Sequence, residues 1–157
     1  DEMAELAGDD AKPDDDWAAL ADTLQGKLIE PKLIEPAFIY DLPLDIWPLV
    51  KVHPESDRVC EAFDGIVAGM EIVGGGTDLN DPVEQRERFI KQRERQEKGA
   101  EPDPHPHDEE FVRALEYGMP PASGCGLGID RLLMIMTGAK TLRDVIIYPA
   151  MRELSSP

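Results

Sequence analysis

The chain has 157 residues, 41% of them hydrophobic, and a formal net charge of −17 at pH 7. That is enough for one domain with its own core, and no stretch approaches the roughly 20 apolar residues of a membrane helix. The charge excludes a polyanion-binding surface on this chain alone, because nucleic-acid affinity rests on Lys and Arg neutralising phosphates; the acidic N-terminus does not resemble a secretory signal, so a cytoplasmic protein is expected.

Residues 1–26 begin DEMAELAGDDAKPDDD. They are rich in acids and poor in large apolar side chains, and read as an acidic, mobile arm. A tandem pentapeptide follows, Lys27-Leu28-Ile29-Glu30-Pro31 and Lys32-Leu33-Ile34-Glu35-Pro36. Two copies make no solenoid, and the pair reads as a local duplication leading into a strand. Residues 37–40, apolar and partly aromatic, are predicted to be that strand. Residues 53–57 read as a loop, and residues 62–73 as a hairpin turning at Ala68-Gly69. Asp81 is a helix cap, Pro82 suits the first helical position, and Glu84 completes a capping box. The helix is predicted to run to about Lys98 on the surface, with Val83, Phe89 and Ile90 as its few apolar anchors. Residues 99–107 form a Pro-rich loop, in which His105-Pro106-His107 reads as solvated rather than metal-binding. A second helix over 108–117 ends at Gly118. Residues 123–129 read as a glycine-rich strand, 130–137 as an apolar helix ending at Gly138, 141–145 as a helical turn, and 146–148 as a last strand. Cys60 and Cys125 have no metal-ligand spacing and read as two reduced core thiols.

Two patterns carry chemistry. Gly124, Gly126 and Gly128 alternate, so all three face one side of their strand. The bare backbone there admits a flat ligand closely. Arg131, three residues on, can reach over that strip and stack on an aromatic ring, and the helix start beside it favours phosphate. The second pattern is in the hairpin. With Ala68-Gly69 as the turn, Ile66 pairs with Glu71, and Asp64 shares their face. The two carboxylates become diagonal neighbours, about 7–8 Å apart by Cα. They are either solvated strand acids or hard oxygen ligands for Mg²⁺.

The run Glu116-Tyr117-Gly118-Met119-Pro120-Pro121, with Gly124-Cys125-Gly126-Leu127-Gly128-Ile129-Asp130-Arg131-Leu132, resembles motif 3 of class II aminoacyl-tRNA synthetases. Phe38-Ile39-Tyr40-Asp41, Leu79-Asn80-Asp81-Pro82 and Leu142-Arg143-Asp144-Val145-Ile146 are similar to the lysyl branch, as is Tyr148-Pro149-Ala150-Met151-Arg152. The resemblance implies an α+β fold, an antiparallel sheet flanked by helices forming the distal part of the class II catalytic domain, over residues 27–152, with 153–157 as a tail. It implies ATP and Mg²⁺, with Arg131 against adenine and Asp64 and Glu71 on the metal; Asp64 stands where the family usually has Glu. It implies lysine activation to an adenylate and transfer to tRNA. Asp78 stands at the acidic position that suits a substrate ammonium. Gly74 and Gly76 replace the Asn and the aromatic usual in lysyl enzymes, and Trp47 replaces a small Ser. Motifs 1 and 2 and the anticodon-binding domain are not recognised in these residues. The resemblance therefore places tRNA contacts in other segments and a homodimer in the full-length family. Two other readings stay open: a paralogue lysylating a translation factor or a lipid, and a non-catalytic binding module derived from a synthetase.

Overall fold

The computed structural model describes residues 2–11, 15–97 and 108–150. The expected Pro-rich loop with His105 and His107, and the tail over 153–157, lie outside the described residues.

Among the described residues, five α-helices and four strands follow in chain order, joined in places by short 3₁₀ and π turns: α1 (Glu2–Ala7), α2 (Trp17–Leu24), β1 (Ala37–Pro43), β2 (Val59–Val67), β3 (Met70–Thr77), α3 (Pro82–Glu97), α4 (Glu109–Glu116), β4 (Ser123–Leu127) and α5 (Ile129–Thr137). The strands form one antiparallel sheet in the order β1-β2-β3-β4. The predicted α+β class and each strand-to-helix alternation from residue 37 to 138 are present.

Three expectations differ. First, the segment read as an arm contains α1 and α2 and is packed. Asp16 caps α2 by accepting hydrogen bonds from the Ala18 and Ala19 amides at 3.1 and 3.0 Å, and Ala7, Ala18 and Leu20 are buried. Arg58 lies over the Trp17 ring at 4.3 Å. Small alanines pack without large apolar side chains, so composition alone concealed the helix. Second, α3 does not anchor through Val83 and Ile90, which are exposed. Its inward stripe is Gln85, Arg88, Phe89 and Gln92, a helical spacing of mostly polar residues. Gln85 Nε2 donates to the Pro48 carbonyl at 3.1 Å and Arg88 Nη1 donates to the Val50 carbonyl. These bonds satisfy buried carbonyls and fix the 47–50 loop. Third, residues 146–148 are not a strand. A strand needs a ladder partner, and Ile147 and Tyr148 are exposed to solvent.

The hairpin turns where expected, with Val67 opposite Met70 and Ile66 opposite Glu71. Ala68 and Gly69 both take positive φ, 53° and 72°, as a two-residue turn matched to strand twist requires. The register then slips: Gly65 pairs with Val73, leaving Ile72 as an extra residue in β3. A one-residue bulge reverses which side every later residue faces. Asp64 therefore lies opposite Gly74 rather than Val73.

The core is small. Leu42, Val50, Cys60 and Ala62 form its centre, with Ile39, Leu44 and Trp47 packed against it. Burial pushes the Cys60 thiol up to about 11, so it behaves as a core hydrophobe; Cys125, expected in the core as well, is exposed because it lies on the edge strand β4. At the other side of the sheet, β4 is exposed along its length and α5 buries no residue.

Candidate functional site

The bulge in β3 decides the floor of the site. Past it, Gly74 pairs with Gly126 and Gly76 with Gly124. Gly74 and Gly76 share one face, as do Gly124 and Gly126, so the four glycines form a square of bare backbone across two strands. A β-carbon added at Gly124 or Gly126 meets nothing within 4 Å. The floor is therefore open over Gly124 and Gly126, whereas Val50 Cγ1 lies 2.9 Å from the β-carbon position of Gly76 and closes that corner. Gly75 faces the other way and is a different case. A β-carbon there would come within 2.4 Å of the Gly124 carbonyl oxygen and 2.8 Å of Cys125.

This contrast gives a prediction. Gly75→Ala is expected to destabilise the fold by about 1–3 kcal/mol, because strand backbone cannot yield as a side chain can. Gly126→Val is expected to change stability by less than about 1 kcal/mol, while weakening ligand binding on the floor by about tenfold or more. Denaturant unfolding and equilibrium nucleotide binding on the two variants separate these effects.

Above the floor is a cavity of about 550 Å³. Five carboxylates line it, from Asp22, Glu30, Asp64, Glu71 and Asp78, and among the described residues no Lys or Arg does. Trp47, Leu42 and Val50 supply its apolar wall. A cavity so charged favours a cationic occupant.

Asp64 and Glu71 converge. Asp64 Oδ1 and Glu71 Oε1 lie 3.1 and 3.3 Å from the point where a Gly74 β-carbon would stand. The other oxygen of each is held. Gln25 Nε2 donates to Asp64 Oδ2 at 3.0 Å, and Arg131 Nη1 donates to Glu71 Oε2 at 3.3 Å and to the Glu71 carbonyl at 2.7 Å. Each acid thus has one clamped oxygen and one turned toward the glycine floor. Asp64 is buried, 7% exposed. Burial raises its carboxyl above the ordinary range, the Gln25 hydrogen bond opposes that, and Glu71, Glu30 and Asp22 add to the rise. A cation bridging the free oxygens relieves both desolvation and repulsion.

Among the described residues, no three His, Cys, Asp or Glu side chains are placed to enclose a metal ion. Two carboxylates with free oxygens fit Mg²⁺, which keeps water and phosphate as its other ligands; they do not fit a fully protein-enclosed ion.

The structure brings together seven of the residues expected from sequence: Asp64, Glu71, Gly74, Gly76, Asp78, Gly124 and Gly126. Asp78 follows β3, its amide donating to the Ala122 carbonyl at 2.9 Å. Arg131 and Gly128 lie at the rim instead. Arg131 Cδ is 3.5 Å from the β-carbon position of Gly128, and its guanidinium grips Glu71 rather than extending over the floor. Sequence reasoning missed Asp22 and Gln25, which the segment read as an arm delivers to the cavity, and Glu30, which the first pentapeptide copy delivers. The only local signal was the helix cap at Asp16.

Residues 9–152 match the model of the tRNA synthetases class II (D, K and N). The chain belongs to that family. It is 45% identical over 141 residues to the lysine–tRNA ligase of Dehalococcoides mccartyi (strain ATCC BAA-2266 / KCTC 15142 / 195), which is 90% of this chain and 28% of that relative. Against the lysine–tRNA ligases of Thermosipho melanesiensis and Bacillus subtilis it is 50% and 49% identical over 125 residues, 80% of the chain and 25% of each relative. This class II chain thus spans between a quarter and a third of the relatives' length. No described helix is long and apolar enough to cross a membrane.

Proposed function

We propose that this class II chain is the motif 3-containing part of a lysine–tRNA ligase, which activates lysine with ATP and transfers it to tRNA. The observation that carries the reading is the pair of converging carboxylate oxygens over a four-glycine floor, in a cavity lined by five acids. The names of the relatives favour tRNA as acceptor over a protein or a lipid.

In this reading the glycine floor takes the flat parts of the substrates, with Gly124, Gly126 and Gly128 on the nucleotide side and Gly74 and Gly76 on the amino-acid side. Asp64 and Glu71 would hold Mg²⁺, which when bound neutralises charge on the ATP phosphates. Asp78 pairs with the lysine ammonium. Arg131 offers the free face of its guanidinium to adenine while its Nη1 keeps Glu71 oriented. The lysine carboxylate attacks the α-phosphorus, an O–P bond forms as the bond to pyrophosphate breaks, and lysyl-adenylate results. The protein supplies alignment and charge rather than a nucleophile. Contacts with tRNA and the family's homodimer interface belong to segments beyond these residues, in a cytoplasmic protein.

The test is amino acid-dependent ATP–pyrophosphate exchange by the full-length polypeptide, with each amino acid in turn. Exchange confined to lysine is expected. Exchange driven by aspartate or asparagine overturns the assignment of Asp78, and no exchange with any amino acid overturns the ligase reading.

A further inference from the structure

Gln25 lies in a π-helical turn (Gln25–Ile29) that continues from α2. Such turns displace a helix face by one residue and recur at functional sites. Its amide nitrogen spans two acids on different elements, 3.0 Å from Asp64 Oδ2 and 3.3 Å from Glu30 Oε1. Gln25 and Asp64 are 39 residues apart, so this contact ties the N-terminal helical segment to the centre of the sheet. A neutral donor is the one side-chain type suited to the position. A carboxylate there would repel both neighbours, and a cation would compete with the ion the cavity is charged to receive. By occupying Oδ2, the amide leaves Oδ1 as the outward lone-pair donor of Asp64, aimed over Gly74 beside Glu71 Oε1. Asp has a short stem, so its carboxylate direction depends on what holds the second oxygen.

We propose that Gln25 is a positioning residue: it orients Asp64 for the nucleotide-bound Mg²⁺ and so couples the packing of the N-terminal helices to metal affinity. The inference rests on the metal role of Asp64 and Glu71 proposed above.

The experiment is equilibrium binding of ATP to the full-length protein by calorimetry, across a Mg²⁺ titration and in EDTA, for native protein, Gln25→Met and Asp64→Asn. Methionine keeps length and removes the donor. For Gln25→Met, the Mg²⁺ concentration giving half-maximal ATP binding is expected to rise about tenfold, the usual scale for losing the partner of a metal ligand. ATP binding in EDTA and the thermal unfolding midpoint stay native. A merely structural Gln25 would weaken ATP equally with and without Mg²⁺, and that result overturns the proposal. An unchanged Mg²⁺ titration in Gln25→Met, with a shifted one in Asp64→Asn, overturns Gln25 alone. An unchanged titration in Asp64→Asn overturns the metal reading together with it.

Discussion

Arg131→Ala is expected to lower lysine-dependent pyrophosphate exchange of the full-length protein by about 10²-fold, the scale for misplacing a reacting group by about 1 Å. Arg131 has two tasks in the proposed site. Its Nη1 fixes Glu71 through both the backbone carbonyl and a carboxylate oxygen, and its half-exposed guanidinium keeps donors and a planar face for the nucleotide. Alanine removes both. Lysine restores the charge but not the fork or the stacking plane, so Arg131→Lys should recover only a small part of the rate. Measured KM for ATP should rise more than KM for lysine, since Asp78 lies on the other side of the glycine floor. Native exchange in Arg131→Ala removes this residue from the site.

Asp64→Asn is expected to weaken ATP binding by about tenfold or more in saturating Mg²⁺ and by less than about twofold in EDTA. The reasoning is electrostatic. The buried Asp64 carboxyl is raised above its ordinary range by desolvation first, and then by Glu71, Glu30 and Asp22. Ionised Asp64 is therefore a strained anion without a counter-ion, and a divalent cation gains most where it replaces lost water. Asparagine keeps the shape and can still accept from Gln25, so the loss isolates charge. The sign for stability is opposite. A carboxyl raised in the folded state loses stability as pH rises through the window above the ordinary 3.8, because the folded state then holds the extra proton. Asp64→Asn should therefore unfold at a higher temperature than native at pH 7 without Mg²⁺, and at a similar one at pH 3. Equal loss of ATP binding in EDTA and in Mg²⁺ would argue against a metal role.

Sequence reasoning was sufficient for features set by local chemistry. Gly124 and Gly126, the helix start at Asp81-Pro82 and the Ala68-Gly69 turn each depend on a few adjacent residues and are where expected; Gly128 instead precedes α5 beyond the end of β4, and the Glu84 carboxylate pairs with Arg88. Asp81 Oδ1 accepts from the Val83 and Glu84 amides at 2.8 and 3.3 Å, and α3 begins at Pro82. The lysyl-type motifs likewise pointed to the family that the comparison over residues 9–152 bears out.

What the sequence by itself determined, then, was the inventory: two acids in a hairpin, two glycine triples, an arginine at a helix start, and the family. Only the tertiary structure decided how they meet. The bulge at Ile72 turns Gly74 and Gly76 onto the face of Asp64 and Glu71, where they meet Gly126 and Gly124, a one-residue choice invisible to a period-two pattern. The tandem pentapeptide makes the same point with identical residues. Its first copy winds through π-helical and 3₁₀ turns, whereas its second extends, with Leu33 and Ile34 carbonyls accepting from the Gly69 and Ala68 amides at 2.9 Å each. Intrinsic propensity is the same for both copies. The first copy also passes the turn, with Pro31 Cα 3.3 Å from where a Gly69 β-carbon would stand, but the turn amides bond to the second copy, and long-range hydrogen bonds outweigh a local preference worth only tenths of a kcal/mol per residue.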